Sequence, residues 1–239
     1  MPKEAFNLGE TPVGVYGKLP TLGDFISRRL PGDFVHCWDE WIQNAMNISR
    51  KNLGESWLDI YLVSPVWRFI LDSGVCGQNA WAGILIPSVD KVGRYFPLTL
   101  ATSIPKKFAV PGLFIRGASW FDWVETIALS ALRDDFDPSQ FDRKPEMSIS
   151  RKSLSWIGVP EGTDGNFRIS DAVFHIEIPS QAETLCAWIE LSNCLIDKYM
   201  SGYSIWHTKG SEQTRQCLMI YEGMPLAETY VGFLKGFCG

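Results

Sequence analysis

Charged side chains stand inside otherwise apolar or turn-forming surroundings at Lys18, Asp24, Arg28 and Arg29, then at Arg68 within VWRFIL and at Asp90, Lys91 and Arg94 within IPSVDKVGRYFP. Arginine and lysine beside carboxylates can hold a fold together as ion pairs, or they can converge and grip an anion or a partner protein. An arginine in a run such as VWRFIL is too costly to desolvate alone, so Arg68 needs a carboxylate, backbone carbonyls or water, with Asp24 or Asp90 as the expected partner. Direct contact between Arg68 and a partner is the competing role. If Lys18, Asp24, Arg68, Asp90 and Arg94 share one cleft, they would form a small-ligand or anion sensor, or a spatially assembled enzyme site.

Other chemistries find less support. Gly17-Lys18 suggests a phosphate loop, but Pro12 and Leu19 occupy the positions where that loop needs glycine and a hydroxyl residue. Gly17 and Pro20 then read as a turn with Lys18 in solvent, or as a small anion or partner site. Asp135, Asp137, Ser139 and Glu146 have the spacing of calcium-loop ligands, yet Gln140 replaces the glycine of the sharp bend. His36, His175 and His207 are too far apart for an HExxH site, and no GxSxG turn exposes a serine nucleophile. No catalytic residue, cofactor or metal is assigned, although a triad assembled only in space would leave no sequence order to read. The cysteines at 37, 76, 186, 194, 217 and 238 show no CxxC pairing and are expected as reduced thiols. Trp38, Trp41, Trp120, Trp123 and Trp188 sit in helical patterns and read as core. Trp206, beside the polar end of SIWHTKGS, is the exposed candidate for sheet-edge packing or partner recognition.

The elements that must position these residues follow from apolar periodicity. Asp33 can cap a helix through Gln43 and slightly beyond, with Phe34, Trp38, Trp41, Ile42 and Ala45 on one face. Ile60–Val63, Val66–Leu71, Trp81–Ile86 and Leu98–Ile104 read as strands of a sheet centre, bounded by Pro65, Gly74, Pro87 and Pro105. A second helix follows Ser119 and ends near Arg133. The charged, proline-containing stretch 134–151 reads as a solvated connection within one domain spanning 1–239. Further strands are expected at Val173–Ile178, Tyr203–His207 and Cys217–Tyr221, sharing the same sheet. A third helix starts with a capping box at Ser180 and Glu183 and runs to Tyr199, and a short terminal helix opens at Pro225. The fold class is α/β, with helices over a mixed or largely antiparallel sheet.

With 239 residues, 46% of them hydrophobic and 13% aromatic, the chain can bury a substantial core and has none of the composition of a disordered segment. A net charge of −5 offers no global attraction for phosphate backbones, so nucleic acid is not an expected partner. MPKEAFNLGE lacks an export signal and no later stretch reaches spanning length, which points to a cytoplasmic location without membrane insertion.

Several separated blocks, in order, resemble the TagF family, also called ImpM, associated with bacterial type VI secretion. Lys18, Gly23 and Asp24 match its first block, although Thr21-Leu22-Gly23-Asp24 stands where the family resembles an arginine-glycine-aspartate turn. Ser64, Pro65, Trp67, Arg68 and Phe69 match SPxWRF. Ser88, Asp90, Gly93, Arg94, Phe96 and Pro97 match SVDxVGRxFP, and Trp206 with Gly210-Ser211 matches the last block. The resemblance implies a three-layer α/β/α sandwich and a non-enzymatic accessory regulator that restrains assembly or firing after translation. It implies a forkhead-associated scaffold protein as partner, and fusion of related domains to a phosphatase places the family near phosphorylation control.

Overall fold

The computed structural model describes residues 12–104, 113–142, 168–170, 173–175, 192, 195, 196 and 198–236. Its strands are β1 (Gly14–Gly17), β2 (Ile26–Arg28), β3 (Trp67–Leu71), β4 (Ala80–Ile86), β5 (Leu98–Ile104), β6 (Arg168–Ser170), β7 (Val173–His175), β8 (Tyr203–Thr208) and β9 (Cys217–Glu222). Seven of them form one sheet in the order β2-β1-β5-β4-β3-β8-β9, antiparallel at every step, while β6 and β7 pair separately. Three expected centre strands are therefore present and adjacent. The shared sheet takes in β8 and β9 but not β7, and residues 176–178 of that expected strand lie outside the described part.

Side-chain alternation sorts the core into two clusters, because successive residues of a strand point to opposite faces. On β4, Ala80, Ala82, Ile84 and Ile86 join one cluster, and Trp81 and Leu85 join the other. Strands buried on both faces read as near-continuous apolar runs, which is why AWAGILI has no polar residue. Between Trp81 and Leu85 only glycine fits: a Cβ on Gly83 would stand 2.5 Å from the Phe69 ring and 2.5 Å from the Leu100 carbonyl oxygen.

Helix α1 (Gly32–Leu53) covers the Trp81 face with Phe34, Trp38, Trp41, Ile42, Ala45, Met46 and Ser49. It runs well beyond Gln43 because the buried face continues through Ala45 and Met46 to Ser49, whose hydroxyl is satisfied by the Met46 carbonyl and the Trp57 indole N–H. Gly54, at φ 53°, ends it. Pro31, not Asp33, precedes the first turn, and Asp33 accepts the Phe34 N–H instead. Trp38 donates its indole N–H to Thr99 on β5, and Trp41 donates to the Pro225 carbonyl, so each buried ring also satisfies its polar atom.

Ile60–Val63 is not a strand. It falls in and just after α2 (Trp57–Leu62), where Trp57 and Tyr61 stack one helical turn apart at 4.8 Å. A four-residue apolar run cannot distinguish a strand from a helix; here the one-turn spacing of the two rings settles it. The opposite face carries α3 (Leu113–Arg116) and α4 (Ala118–Ala131), the latter burying Trp120, Phe121, Val124 and Ala128 as its spacing predicts, with Ala131 fully buried where the spacing points to Leu132, which is only partly so. In the 134–151 connection, Phe136 and Phe141 tuck into this cluster, and 143–151 lies outside the described residues. The start of the expected third helix, Ser180 to Ile189, also lies outside, while Leu195, Ile196 and Tyr199 are helical. A 3₁₀ turn at Ala227–Thr229 and α5 (Tyr230–Lys235) close the chain over the Trp41 side. Among the described residues no helix is long and apolar enough to cross a membrane.

Not all the cysteines are reduced. Cys37 of α1 and Cys76 of the β3–β4 loop form a disulfide, with Cα atoms 5.7 Å apart and a sequence separation of 39. The loop docks closely enough that a Cβ on Gly77, at φ 88°, would lie 2.6 Å from an Asp33 carboxylate oxygen. No CxxC spacing announces such a pair, since only the fold brings a helix and a hairpin loop together. Cys217 is a free thiol, and Cys186, Cys194 and Cys238 lie outside the described residues. Closing a loop of this length is worth about 3–4 kcal/mol in the chain-entropy account. Cys37→Ala should lower urea-denaturation stability by that amount, and dithiothreitol should bring the wild type to the same level. Equal stability of oxidised wild type and variant would show that the cross-link contributes nothing.

Candidate functional site

β1 and β4 each run antiparallel to β5 between them, so their C-terminal ends lie at the same end of the sheet. The chain leaves those ends as two loops, 18–25 and 87–97. Topology thus brings together the blocks YGKLPTLGDF and PSVDKVGRYFP, which are far apart in sequence.

Asp90 ties the loops together. One carboxylate oxygen accepts the Val92 and Arg94 backbone N–H groups at 3.0 and 2.9 Å; the other accepts Lys18 Nζ at 2.8 Å and Arg94 Nε at 2.6 Å. The Arg94 guanidinium also donates to the Gly23 carbonyl, and the Lys91 N–H donates to the Leu22 carbonyl at 2.9 Å. Burial alone would raise the Asp90 carboxyl. The Lys18 ammonium, the backbone donors and Arg94 outweigh it and hold the group well below the usual carboxylate range. A carboxylate this strongly held has too little proton affinity to act as a general base near neutrality.

Lys18 is not solvated: it is 5% exposed, and its ammonium lies 5.0 Å from the centre of the Phe25 ring. Beneath the node, the Ser88 hydroxyl donates to the Lys18 carbonyl, and Tyr61 bridges both the N–H and the carbonyl of Ser88. Outward, the loops present Asp24, Lys91 and Arg94 beside two apolar side chains, Phe25 at 42% and Val92 at 68% exposure. The exposed Asp24 accepts the following Phe25 N–H through one carboxylate oxygen. Phe25 packs edge-on to Phe96 at 4.8 Å, so the exposed ring has a fixed seat.

Arg68 belongs elsewhere. It points with Ile70 to the α4 face and binds Asp122 and Glu125, not Asp24 or Asp90. Lys209 adds a 2.8 Å contact to Asp122, and the two cations, Lys209 first, lower the Asp122 carboxyl. Burial, then Arg68 and Lys209, lowers the neighbouring His207 imidazole, which sits opposite Arg68 in the β3–β8 register. Sequence reasoning missed Asp122 and Glu125. Their three-residue spacing on a helix, facing a strand that carries one arginine, was the available signal.

Trp206 is a core residue with no exposed surface; it stacks at 6.0 Å on Trp38 and donates to the Ser204 hydroxyl. His207 and Thr208 continue the strand and Lys209 to Ser211 lie beyond its end, and none of them draws the ring outward, because alternation along β8 sends Trp206 to the α1 face. Arg28 meets Asp142 at 3.5 Å in solvent, while Arg29, at φ 58°, donates to the Val13 and Phe141 carbonyls and pins the end of β2. In the calcium-like stretch, Asp135 pairs with Arg133 and Asp137 caps Ser139, and Glu146 lies outside the described residues. Lys18, Asp24, Asp90 and Arg94 are thus brought to one end of the sheet; Arg68 and Trp206 are not part of that group.

A family model described as the TagF N-terminal domain, type VI secretion system-associated, matches residues 14–147. The crystal structure of PA0076 from Pseudomonas aeruginosa PAO1 is similar, with 34% identity and a TM-score of 0.74 over 95% of this chain and 96% of that chain. No curated protein matches.

The Asp90 node predicts an order of effects. Asp90→Asn should destabilise more than Arg94→Ala, because it leaves the Lys18 ammonium buried without a counter-charge, whereas Arg94 is more than half exposed. The folded-state carboxyl lies below its unfolded value of 3.8, so its contribution is complete above that pH and is lost as the pH falls through the folded value. Urea titrations at successive pH values should therefore show the gap between wild type and Asp90→Asn closing below about pH 4. A gap independent of pH would contradict the node.

Proposed function

We propose, from the premise that this chain belongs to the TagF family of type VI secretion system-associated proteins, that it is a non-enzymatic accessory regulator. It restrains assembly or firing after translation by occupying a cytoplasmic component of the apparatus, the forkhead-associated scaffold protein. The component is withdrawn by mass action, so the effect scales with the regulator's concentration relative to the dissociation constant. The two core clusters, with α1 against one and α4 against the other, support reading the fold as an α/β/α sandwich.

One observation carries the binding reading: the paired loops are fixed from beneath by a buried, fully bonded carboxylate, yet expose Phe25 and Val92 on the same two loops that expose Asp24, Lys91 and Arg94. Interfaces favour an apolar anchor inside a polar, charged rim, and a surface that is already ordered loses less entropy on docking. A single ligand cleft built from all five charged residues has less support, because Arg68 is committed to Asp122 and Glu125 on α4.

Calorimetric titration of the purified chain with the forkhead-associated scaffold tests this reading. Binding is expected, and Phe25→Asp combined with Val92→Asp should weaken it by about tenfold or more, the effect of losing a hot-spot contact, with the circular dichroism spectrum unchanged. No binding by the wild type up to about 100 μM, or unchanged affinity of the double variant, would reject the proposed face.

A further inference from the structure

The two edges of the main sheet differ. At one end β2 has only three residues, finishes on the charged Arg28, and stops where the next residue, Arg29, turns to φ 58°. Shortness, charge and a broken backbone are the usual means by which an edge is kept from pairing with another chain. At the other end β9 has six residues, CLMIYE, and every one of them is in register with β8 on a single side. It carries no proline and no charge before Glu222. Leu218 and Ile220 stand 59% and 40% exposed on the same face. Among the described residues nothing pairs with its outer side.

We propose that β9 pairs with β9 of a second copy of this chain, antiparallel, about a two-fold axis at Met219, so that two sheets become one. The register follows from symmetry. Antiparallel partners share a sheet face, and a two-fold axis perpendicular to the sheet keeps each residue on its own face, so opposing positions must both be even or both be odd. The axis therefore passes through a residue. With the axis at Met219, Leu218 of one copy opposes Ile220 of the other, which closes the exposed apolar pairs against each other. Gln216 opposes Glu222, an amide donor against a carboxylate acceptor, twice by symmetry. Cys217 opposes Tyr221. Moving the axis to Ile220 leaves one apolar pair, Ile220 against its own copy, and sets Glu222 against Leu218; moving it to Leu218 leaves Leu218 against its own copy and sets Gln216 against Ile220, so each register loses one of the two apolar pairs and the polar match. No like charges meet at the Met219 register, and cross-strand pairs of these kinds stabilise a sheet.

One strand pair is a small interface compared with the roughly 1,200–2,000 Å² of stable complexes, so the association is expected to be weak, on the order of tens of micromolar. Sedimentation velocity of the full chain from about 1 to 200 μM, spanning that range, should show the wild type moving from monomer to dimer. Ile220→Lys and Leu218→Lys should each weaken the dimer at least tenfold with unchanged circular dichroism. Gln216→Glu should weaken it through repulsion with Glu222, least at high salt. Adding Glu222→Lys should restore it, a rescue that a merely exposed apolar strand would not produce. A wild type that remains monomeric throughout, a dimer that survives Ile220→Lys, or the absence of rescue would overturn the proposal.

Discussion

A sheet covered on both faces admits a charge only where the fold supplies its counter-charge on the spot. That constraint organises this molecule. β3, β4 and β5 are buried almost throughout, so the two ionic residues drawn into or beside them, Arg68 and Asp90, each gather several opposite or polar partners. Arg68 holds α4 against β3, and Asp90 holds the β1–β2 and β4–β5 loops to each other. Neither pair need add much to net stability, since an apolar replacement of similar shape can do as well. What such pairs do secure is geometry: removing one member leaves the other stranded, so the arrangement tolerates no partial version.

The placement of the exposed loop face follows from that geometry together with strand order. Because β5 lies between β1 and β4, the outgoing ends of two parallel strands meet, and residues from distant blocks become neighbours. Asp90 then converts proximity into order. It caps its own tight turn through the Val92 and Arg94 N–H groups while its other oxygen reaches across to Lys18. One side chain therefore defines a turn and positions a second loop. The exposed Val92 inherits that rigidity from the turn, and Phe25 adds to it through its contacts with Phe96 and Lys18.

Much of this was legible in the residues and some was not, for reasons of range. The strands from Trp67 to Ile104 and the buried faces of α1 and α4 depend on local periodicity, which a sequence displays directly. That Arg68 must be compensated was also plain, because burial of a charge is costly whatever the fold. Which carboxylate compensates it was not, since Asp122 and Glu125 meet it only after α4 crosses the sheet. The Cys37–Cys76 bond was hidden in the same way. Trp206 misled for a different reason. The polar residues that follow it in the chain belong to the strand's end, and strand alternation, not chain neighbourhood, decides where a ring points.

Strand order also separates the two surfaces that point outward. The loop face grows from β1, β2 and β4, toward the β2 end of the sheet, whereas β9 forms the far edge beyond β3 and β8. A partner seated on Phe25 and Val92 and a second copy seated on β9 would therefore not compete for the same residues. If both are occupied, two loop faces are carried on one continuous sheet, and a partner with two matching sites would bind them with an avidity set by their spacing and not by any new contact. Occupancy of the edge would then tune the chain's effective affinity for such a partner without altering the loop face itself.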